Sequence, residues 1–413
     1  MSKVEALIQE LCPNVVVYKY LWEVTAWDKK FNAVDSRKQI KTQKYTYLLA
    51  SELRKLAVEK GDVKLLSTGG EVYSWTTEQL AGKSISEGEI VAIPWGGRAT
   101  VQYYNGKFVT ADNRIATSLD SSYLDNKFLY YFMLGNLRTL QSFYRGSGIQ
   151  HPSMSKVLDM RIPIPPLEIQ KEIVSILDKF TQLEAELEAE LEARRKQYEY
   201  YRNQLLTFDE SRERVRWSRL GDIMTIVRGA SPRPINSFIT TSEDGVNWIK
   251  IGDVKNGAKY ITSTKEKITQ AGAKKSRHLT AGDFVLSNSM SFGRPYILKI
   301  DGCIHDGWIS MSNFENYLDS DFLYHLLNSD LVQRYWKQKA SSGTVQNLNA
   351  DIVRSTEIPI PEIDEQKKIA KLLDKFERLV NDINEGLPAE LKARRQQYEY
   401  YRSKLLTFQE AVA

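Results

Sequence analysis

Ala189-Glu-Leu-Glu-Ala-Arg-Arg-Lys-Gln-Tyr-Glu-Tyr-Tyr-Arg-Asn-Gln-Leu-Leu-Thr-Phe208 returns later in the chain as Ala389-Glu-Leu-Lys-Ala-Arg-Arg-Gln-Gln-Tyr-Glu-Tyr-Tyr-Arg-Ser-Lys-Leu-Leu-Thr-Phe408. About sixteen of the twenty positions are identical, far beyond chance. Ile162-Pro-Ile-Pro165 likewise returns as Ile358-Pro-Ile-Pro361, and Leu177-Asp-Lys-Phe180 as Leu373-Asp-Lys-Phe376. A period of about 200 residues is too long for a solenoid, so a whole domain with its connector has been duplicated. The offset is 196 at Phe180/Phe376 and 200 at Tyr198/Tyr398, which places a four-residue gain between Leu379 and Leu387. Four residues are close to one helical turn, so the insertion keeps an apolar stripe nearly in phase.

Both copies carry such a stripe. Ile169, Ile173, Leu177, Phe180, Leu183, Leu187, Leu191, Tyr198, Tyr201 and Leu205 recur at helical steps, as do Ile369, Leu373, Phe376, Leu379, Ile383, Leu387, Leu391, Tyr398, Tyr401 and Leu405. A helix from Leu167 to Leu206 would be roughly 60 Å long, too long for a globular core, and two of them could bury each other's stripes. Pro163, Pro165 and Pro166 precede the first helix, and Pro359 and Pro361 the second. Gly386-Leu-Pro388 predicts a break or kink in the second copy alone.

The repeats enclose two variable regions of domain size. The expected layout is α+β: two mixed α/β domains (1–158 and 210–354) joined by two long helical spacers (159–209 and 355–413) in a pseudo-two-fold coiled coil. Strand-like runs include Val15–Tyr18, Glu89–Ile93, Asn247–Ile251 and Asp283–Leu286. Helical stretches close the regions at Leu124–Phe143 and Phe322–Trp336. Gly97-Arg98 and Gly293-Arg294 match at the offset of 196, and Gly88-Glu-Ile-Val91 resembles Gly282-Asp-Phe-Val285. Otherwise the two diverge, as one scaffold with two contact surfaces would. Leu220-Gly221-Asp222 in the second region stands where the first has Leu21-Trp22-Glu23, so a glycine-dependent turn cannot be assumed in the first.

Charge and residue types point to phosphate. The net charge is +5, but between Arg212 and Lys299 the basic excess is roughly nine, while Glu184–Glu192 is acidic. Candidate DNA contacts cluster near the shared Gly-Arg: Trp95, Arg98, Thr100, Gln102, Lys107 and Arg114 in the first region. In the second they are Asn288, Ser289, Arg294 and Trp308, with Lys274, Lys275 and Arg277 upstream. Arginine pairs with guanine edges and Asn or Gln with adenine, while lysine clusters hold phosphates.

Catalytic constellations are missing from the sequence. No amino-methyltransferase Asn/Asp/Ser-Pro-Pro-aromatic motif, Walker A loop or dinucleotide fingerprint occurs. His151, His278, His305 and His325 have no metal spacing. Asp222 with Asp253-Val254-Lys255, and Ser289 with His305 and Asp306, are weak candidates for a nuclease core and a hydrolase triad. Only Cys12 and Cys303 are present, no run approaches about 18 apolar residues, and the N-terminus does not read as a signal peptide, so a cytoplasmic protein is expected.

The run Ile162-Pro-Ile-Pro-Pro-Leu-Glu-Ile-Gln-Lys-Glu-Ile173, the Leu-Asp-Lys-Phe blocks, and Arg-Arg-x-Gln-Tyr-Glu-Tyr-Tyr-Arg at Arg194–Arg202 and Arg394–Arg402 resemble type I restriction–modification specificity subunits, over essentially the whole chain. That resemblance implies two target-recognition domains on double-stranded DNA, each reading half of a split sequence, and two long helices packed antiparallel as a ruler. Leu183-Glu-Ala-Glu186, Leu187-Glu-Ala-Glu190 and Leu191-Glu-Ala-Arg194 look like the family's spacer tetrapeptides. It also implies two modification (methyltransferase) subunits docked on the helices, joined by restriction subunits. S-adenosylmethionine, ATP and Mg2+ would reside on those partners, with no cofactor or metal here. Near-identity of the two copies suggests that Gln170, Arg194, Arg195, Tyr198 and Tyr201, with Gln366, Arg394, Arg395, Tyr398 and Tyr401, bind the same partner twice. Tyrosines at helical spacing also suit a core. The competing readings are a stand-alone DNA-modifying enzyme and a coiled-coil adaptor without DNA readout, the latter lacking salt-dependent DNA affinity.

Overall fold

A computed structural model describes residues 16–39, 41–68, 75–208, 215–254, 258–288, 292–340, 348–381 and 386–410. Cys12, Val15, Lys255, Ser289 and Ile383 lie outside the described residues. The chain forms two compact units, Met1–Ala185 with Ala393–Ala413, and Glu186–Lys392.

In the first unit the main sheet has six strands in the order Thr25–Trp27, Asn113–Ser118, Ser86–Pro94, Gln102–Thr110, Val63–Leu66, Trp75–Thr76. Its pairings are antiparallel except Val63–Leu66 with Gln102–Thr110, which is parallel. The second unit repeats the first five places of that order: Thr225–Arg228, Trp308–Ser312, Phe284–Ser287, Pro295–Leu298, Tyr260–Ile261, again with a parallel pair at the end. It then adds a second five-stranded sheet: Ile239–Thr240, Glu266–Ile268, Val246–Ile249, Gly302–Ile304, Arg277–Leu279. Ile249, Leu279 and Ile304 of this added sheet share a core with Val285, Tyr296, Leu298 and Trp308 of the other. The two domains thus have a common sheet, and much of their divergence is one extra layer.

Each unit has a matching neck. Val17–Tyr20 pairs antiparallel with Arg161–Ile164, and Arg216–Arg219 with Glu357–Ile360, so that Ile162 faces Lys19 and Ile358 faces Ser218. A one-turn helix follows in both, Leu21–Val24 and Leu220–Ile223. The glycine is therefore not needed for the turn. In the first unit Glu23 accepts a hydrogen bond from the Tyr20 amide (2.7 Å) and starts the helix without one. Gly221 serves close approach instead, since a Cβ there would lie 3.0 Å from Cβ of Arg354.

The first repeat forms one helix, Leu167–Leu205. The second gives Ile363–Asn381 and Gly386–Leu405, with residues 382–385 outside the described set. Gly386 has φ +69°, the left-handed conformation of a helix stop. The expected Leu124–Phe143 helix is split at Asn136, and the Phe322–Trp336 stretch is split into Ser320–Leu327 and Asp330–Ala340.

The near-copied segments meet inside each unit. In the first, Phe180 stacks on Tyr401 (5.5 Å, 25°) and Arg395 Nε donates to Glu184 (2.6 Å). Rising positions on one helix meet falling positions on the other, which makes the pair antiparallel. In the second unit Tyr201 stacks on Phe376 (5.7 Å, 19°), the same pairing with the copies exchanged. The stripe departs from expectation at Leu183, which is 46% exposed, and at Leu379, which is 53% exposed while its neighbour Val380 is buried.

Candidate nucleic-acid interface

The repeated glutamine carries the joint between domain and helix. Gln170 Nε2 donates to the carbonyls of Tyr123 (2.9 Å) and Pro165 (2.8 Å), and Oε1 accepts from the Asp125 amide (2.9 Å). Gln366 does the same with Tyr317 (3.0 Å), Pro361 (2.8 Å) and the Asp319 amide (2.8 Å). Asp125 and Asp319 then cap the domain helices Asn126–Gly135 and Ser320–Leu327. Both glutamine side chains are fully buried. They are clamps inside the chain, not the partner contacts the sequence suggested, because every polar atom that could reach a partner is used.

The aspartate of Leu-Asp-Lys-Phe latches the same helices, a role sequence reasoning missed although the repeat itself flagged the position. Asp178 accepts from Tyr131 Oη (2.6 Å) and Lys127 Nζ (2.7 Å). Asp374 is met by His325 Nε2 (2.8 Å) and Lys259 Nζ (2.9 Å), and Lys259 also pairs with Asp321 (2.8 Å). Burial would raise the Asp374 carboxyl, but the hydrogen bonds from His325 and Lys259 prevail and hold it at about 2. Tyr198 is buried against His325, its hydroxyl 3.2 Å from Nδ1, so it too belongs to the interior. His325, Asp374 and Glu377 could surround a cation, yet the Lys259 ammonium already supplies that charge, and Glu377 accepts from Tyr324 Oη (3.0 Å).

Of the other candidates on the repeats, Arg194, Arg195, Arg394 and Arg395 are exposed. Arg194 pairs with Glu190 (2.8 Å) and Arg395 with Glu184. Tyr201 and Tyr401 are 37% exposed at the edge of their stacks, and Tyr398 is half-buried beside Phe180 (6.3 Å).

The shared Gly-Arg sits on equivalent loops, between Ser86–Pro94 and Gln102–Thr110 in one domain and between Phe284–Ser287 and Pro295–Leu298 in the other. Gly97 (φ +99°) and Gly293 (φ +68°) both use a conformation that side chains resist. Arg98 and Thr100 are exposed, and Arg294 is half-buried with its guanidinium 5.6 Å from the Tyr296 ring. Gln102 donates to the Ser67 carbonyl (2.9 Å), and Lys107 pairs with Glu78.

Three candidates belong to the interior. Arg114, on the strand Asn113–Ser118, is buried and bound by Asp28 (2.7 Å) and Asp112, with its guanidinium 4.7 Å from the Trp95 ring. Burial raises the Asp28 carboxyl against the pull of Arg114. Trp308 is fully buried between the two sheets and donates to the Ile249 carbonyl (3.1 Å). Asn288 is buried, its amide donating to the Gly307 carbonyl (3.2 Å) and its carbonyl accepting from Leu348 (2.9 Å).

Lys274, Lys275 and Arg277 are exposed together, Arg277 on the edge strand of the added sheet. Among the described residues this basic edge has no counterpart strand in the first domain. Of the weak catalytic candidates, Lys255 and Ser289 lie outside the described residues, and of the described members Asp253 and His305 are engaged with backbone. Asp253 accepts from the backbone amides of Lys250 (2.9 Å) and Lys265 (3.2 Å), while His305 Nδ1 accepts from the Gly307 amide (2.8 Å) and burial lowers its pKa. Among the described residues no helix is long and apolar enough to cross a membrane.

The family model for the type I restriction modification DNA specificity domain matches residues 32–193 and again residues 213–393. The chain belongs to the type I restriction–modification specificity family. A type I restriction enzyme specificity subunit of Escherichia coli is 34% identical over 308 residues, 71% of this chain and 74% of that protein. A putative type I specificity subunit of Haemophilus influenzae is 35% identical over 338 residues, 78% and 83% of the two chains. A type I system S subunit from M. genitalium shares the fold at a TM-score of 0.57 and 17% identity, covering 95% of this chain and 97% of that one. A chain from a structural study of type I R-M assembly and conformational transition gives 0.62 at 14% identity, with 95% and 98% covered. For a type I specificity chain, the two matched segments are the two DNA specificity domains, and the doubled clamp and latch are the features they hold in common.

Proposed function

We propose that this chain is the sequence-reading subunit of a type I restriction–modification complex, each domain reading one half of a bipartite double-stranded DNA target. The observation that carries this is one five-strand order built twice on identical glutamine clamps, with unlike surfaces attached. Matched joints with unmatched faces suit a molecule that must hold two readers alike and point them at different sequences. The helical repeats set the gap between the half-sites and present equivalent exposed arginines and tyrosines to two methyltransferase subunits. Restriction subunits join that core. Chemistry resides on the partners, which hold S-adenosylmethionine, ATP and Mg2+, and the complex works in the cytoplasm.

The test is methylation mapping after co-expression with the modification subunit. Deleting Glu188–Leu191 removes one tetrapeptide from the continuous helix, and should change the preferred gap while both half-site sequences stay the same. An unchanged gap would refute the ruler, and methylation or cleavage by the purified chain alone would refute the division of labour.

A further inference from the structure

In the first domain a second loop is fastened to the Gly-Arg loop. Strands Tyr144–Arg145 and His151–Pro152 form a hairpin whose tip is Gly146-Ser-Gly-Ile-Gln150. Four hydrogen bonds join it and the preceding helix to Pro94–Ala99: Gly97 N to Gln150 O (2.9 Å), Ala99 N to Gln141 Oε1 (2.8 Å), Tyr144 Oη to Pro94 O (2.7 Å), and His151 Nδ1 to Trp95 O (2.7 Å). Trp95 packs on His151 at 5.2 Å and under the buried Arg114 guanidinium at 4.7 Å. A Cβ at Gly96 would lie 2.9 Å from Ile149 Cγ2, so the two loops touch with no room to spare. The result is a single platform whose backbone is already fastened, which lowers the ordering cost of binding.

Its outer face is unusual. Ile149 is 71% exposed, the highest value for a large apolar side chain among the described residues. It borders a shallow recess of about 540 Å3 lined by Gly97, Arg98, Gln141, Gly148 and Gln150. Arg98 is exposed in its lining and Arg145 is exposed on the same hairpin as Ile149, and Arg98 has no hydrogen-bond or ion-pair partner among the described residues. A bare aliphatic held next to an open guanidinium on a cationic face matches one edge pattern of the major groove: a guanine, which accepts two hydrogen bonds from arginine, beside a thymine C5-methyl. The aliphatic–Gln pair also recurs in sequence as Val345-Gln346, at the offset of 196 that relates the two Gly-Arg loops.

We infer that Arg98 and Ile149 are adjacent specificity-determining contacts of the first domain, Arg98 on a guanine edge and Ile149 on a neighbouring thymine methyl. This rests on the DNA-reading function proposed above.

The test uses the full chain assembled with its modification subunits. Methylation mapping of the wild-type complex first defines its half-sites. Absence of any bipartite preference there would defeat the general reading, not this one specifically. Arg98→Lys keeps the charge but loses the fork, so it should relax one guanine position by at least fivefold while overall DNA affinity changes little. Ile149→Ala should abolish a roughly fourfold preference for thymine over deoxyuridine at the adjoining position, the worth of one methyl group. The other half-site should be read unchanged by both variants, which also reports that they fold. A wild-type complex that reads its bipartite target, with Ile149→Ala and Arg98→Lys reading it identically, overturns the inference. So does a preference that both variants lose at a half-site position insensitive to deoxyuridine.

Discussion

Single residues decide how firmly each domain is seated. Gln366 satisfies two carbonyls and one amide in a dry site. Gln366→Ala leaves those groups unpaired and should destabilise its unit by about 2–4 kcal/mol, read as a lower urea midpoint. Gln366→Glu should be worse, since a carboxylate cannot donate to the two carbonyls and adds a buried charge. Wild-type stability in Gln366→Ala would show that the clamp is idle. Asp374 gives a pH signature. Its folded-state pKa of about 2 lies below its ordinary 3.8. The ionised form therefore stabilises the fold above pH 4, and that contribution, on the order of 2 kcal/mol, fades as pH falls toward 2. Asp374→Asn should flatten the fall in urea midpoint between pH 5 and pH 3; an equal slope in both proteins would exclude this assignment. Residue roles were the least legible part of the sequence. Near-identity of the two copies marked Gln170, Gln366 and Tyr198, but identity cannot separate a shared joint from a shared partner. Arg114 and Trp308 were misplaced for a different reason. A charge or an indole looks like surface until the chain supplies Asp28 to pair with it or a second sheet to cover it.

At the scale of elements the sequence was far more informative. The stripe periodicity located the Leu167–Leu205 helix to within a residue, and the Gly-Leu-Pro stop foretold the interruption at Gly386. What periodicity missed was the shift from Leu379 to Val380, because the partner surface chooses between neighbours that both fit a helical step. Of the extra sheet of the second domain only the middle strand was legible, as the run Asn247–Ile251; the other four strands are two or three residues long, too short for alternation to register. The Gly-Arg loops permit a sharper test. Gly293 has φ +68°, and a Cβ would lie 2.8 Å from Trp336 Cε3. Gly293→Ala should cost about 2 kcal/mol or more from strain and collision together. Gly252→Ala is the control, with nothing within 4 Å of its Cβ, and should stay within about 0.5 kcal/mol. Equal urea midpoints for the two variants would contradict the geometry.

For the molecule as a whole, the duplication separates what is held constant from what is free to change. Exchanging residues 210–354 for the matching segment of a relative should replace one half-site in methylation maps and leave the other half-site and the gap intact. Simultaneous loss of both half-sites would mean that the domains are not independent readers. The glutamine clamp explains why such an exchange is chemically easy. Its three contacts in each unit are all to main-chain atoms, two carbonyls and one amide. Every amino acid except proline brings those atoms, so the socket recognises the course of a neighbouring backbone and is blind to its side chains. A head can drift in sequence, or arrive by recombination from another strain, and still meet the glutamine clamp without any compensating mutation at that residue. New target sequences are then within reach of a single genetic crossover.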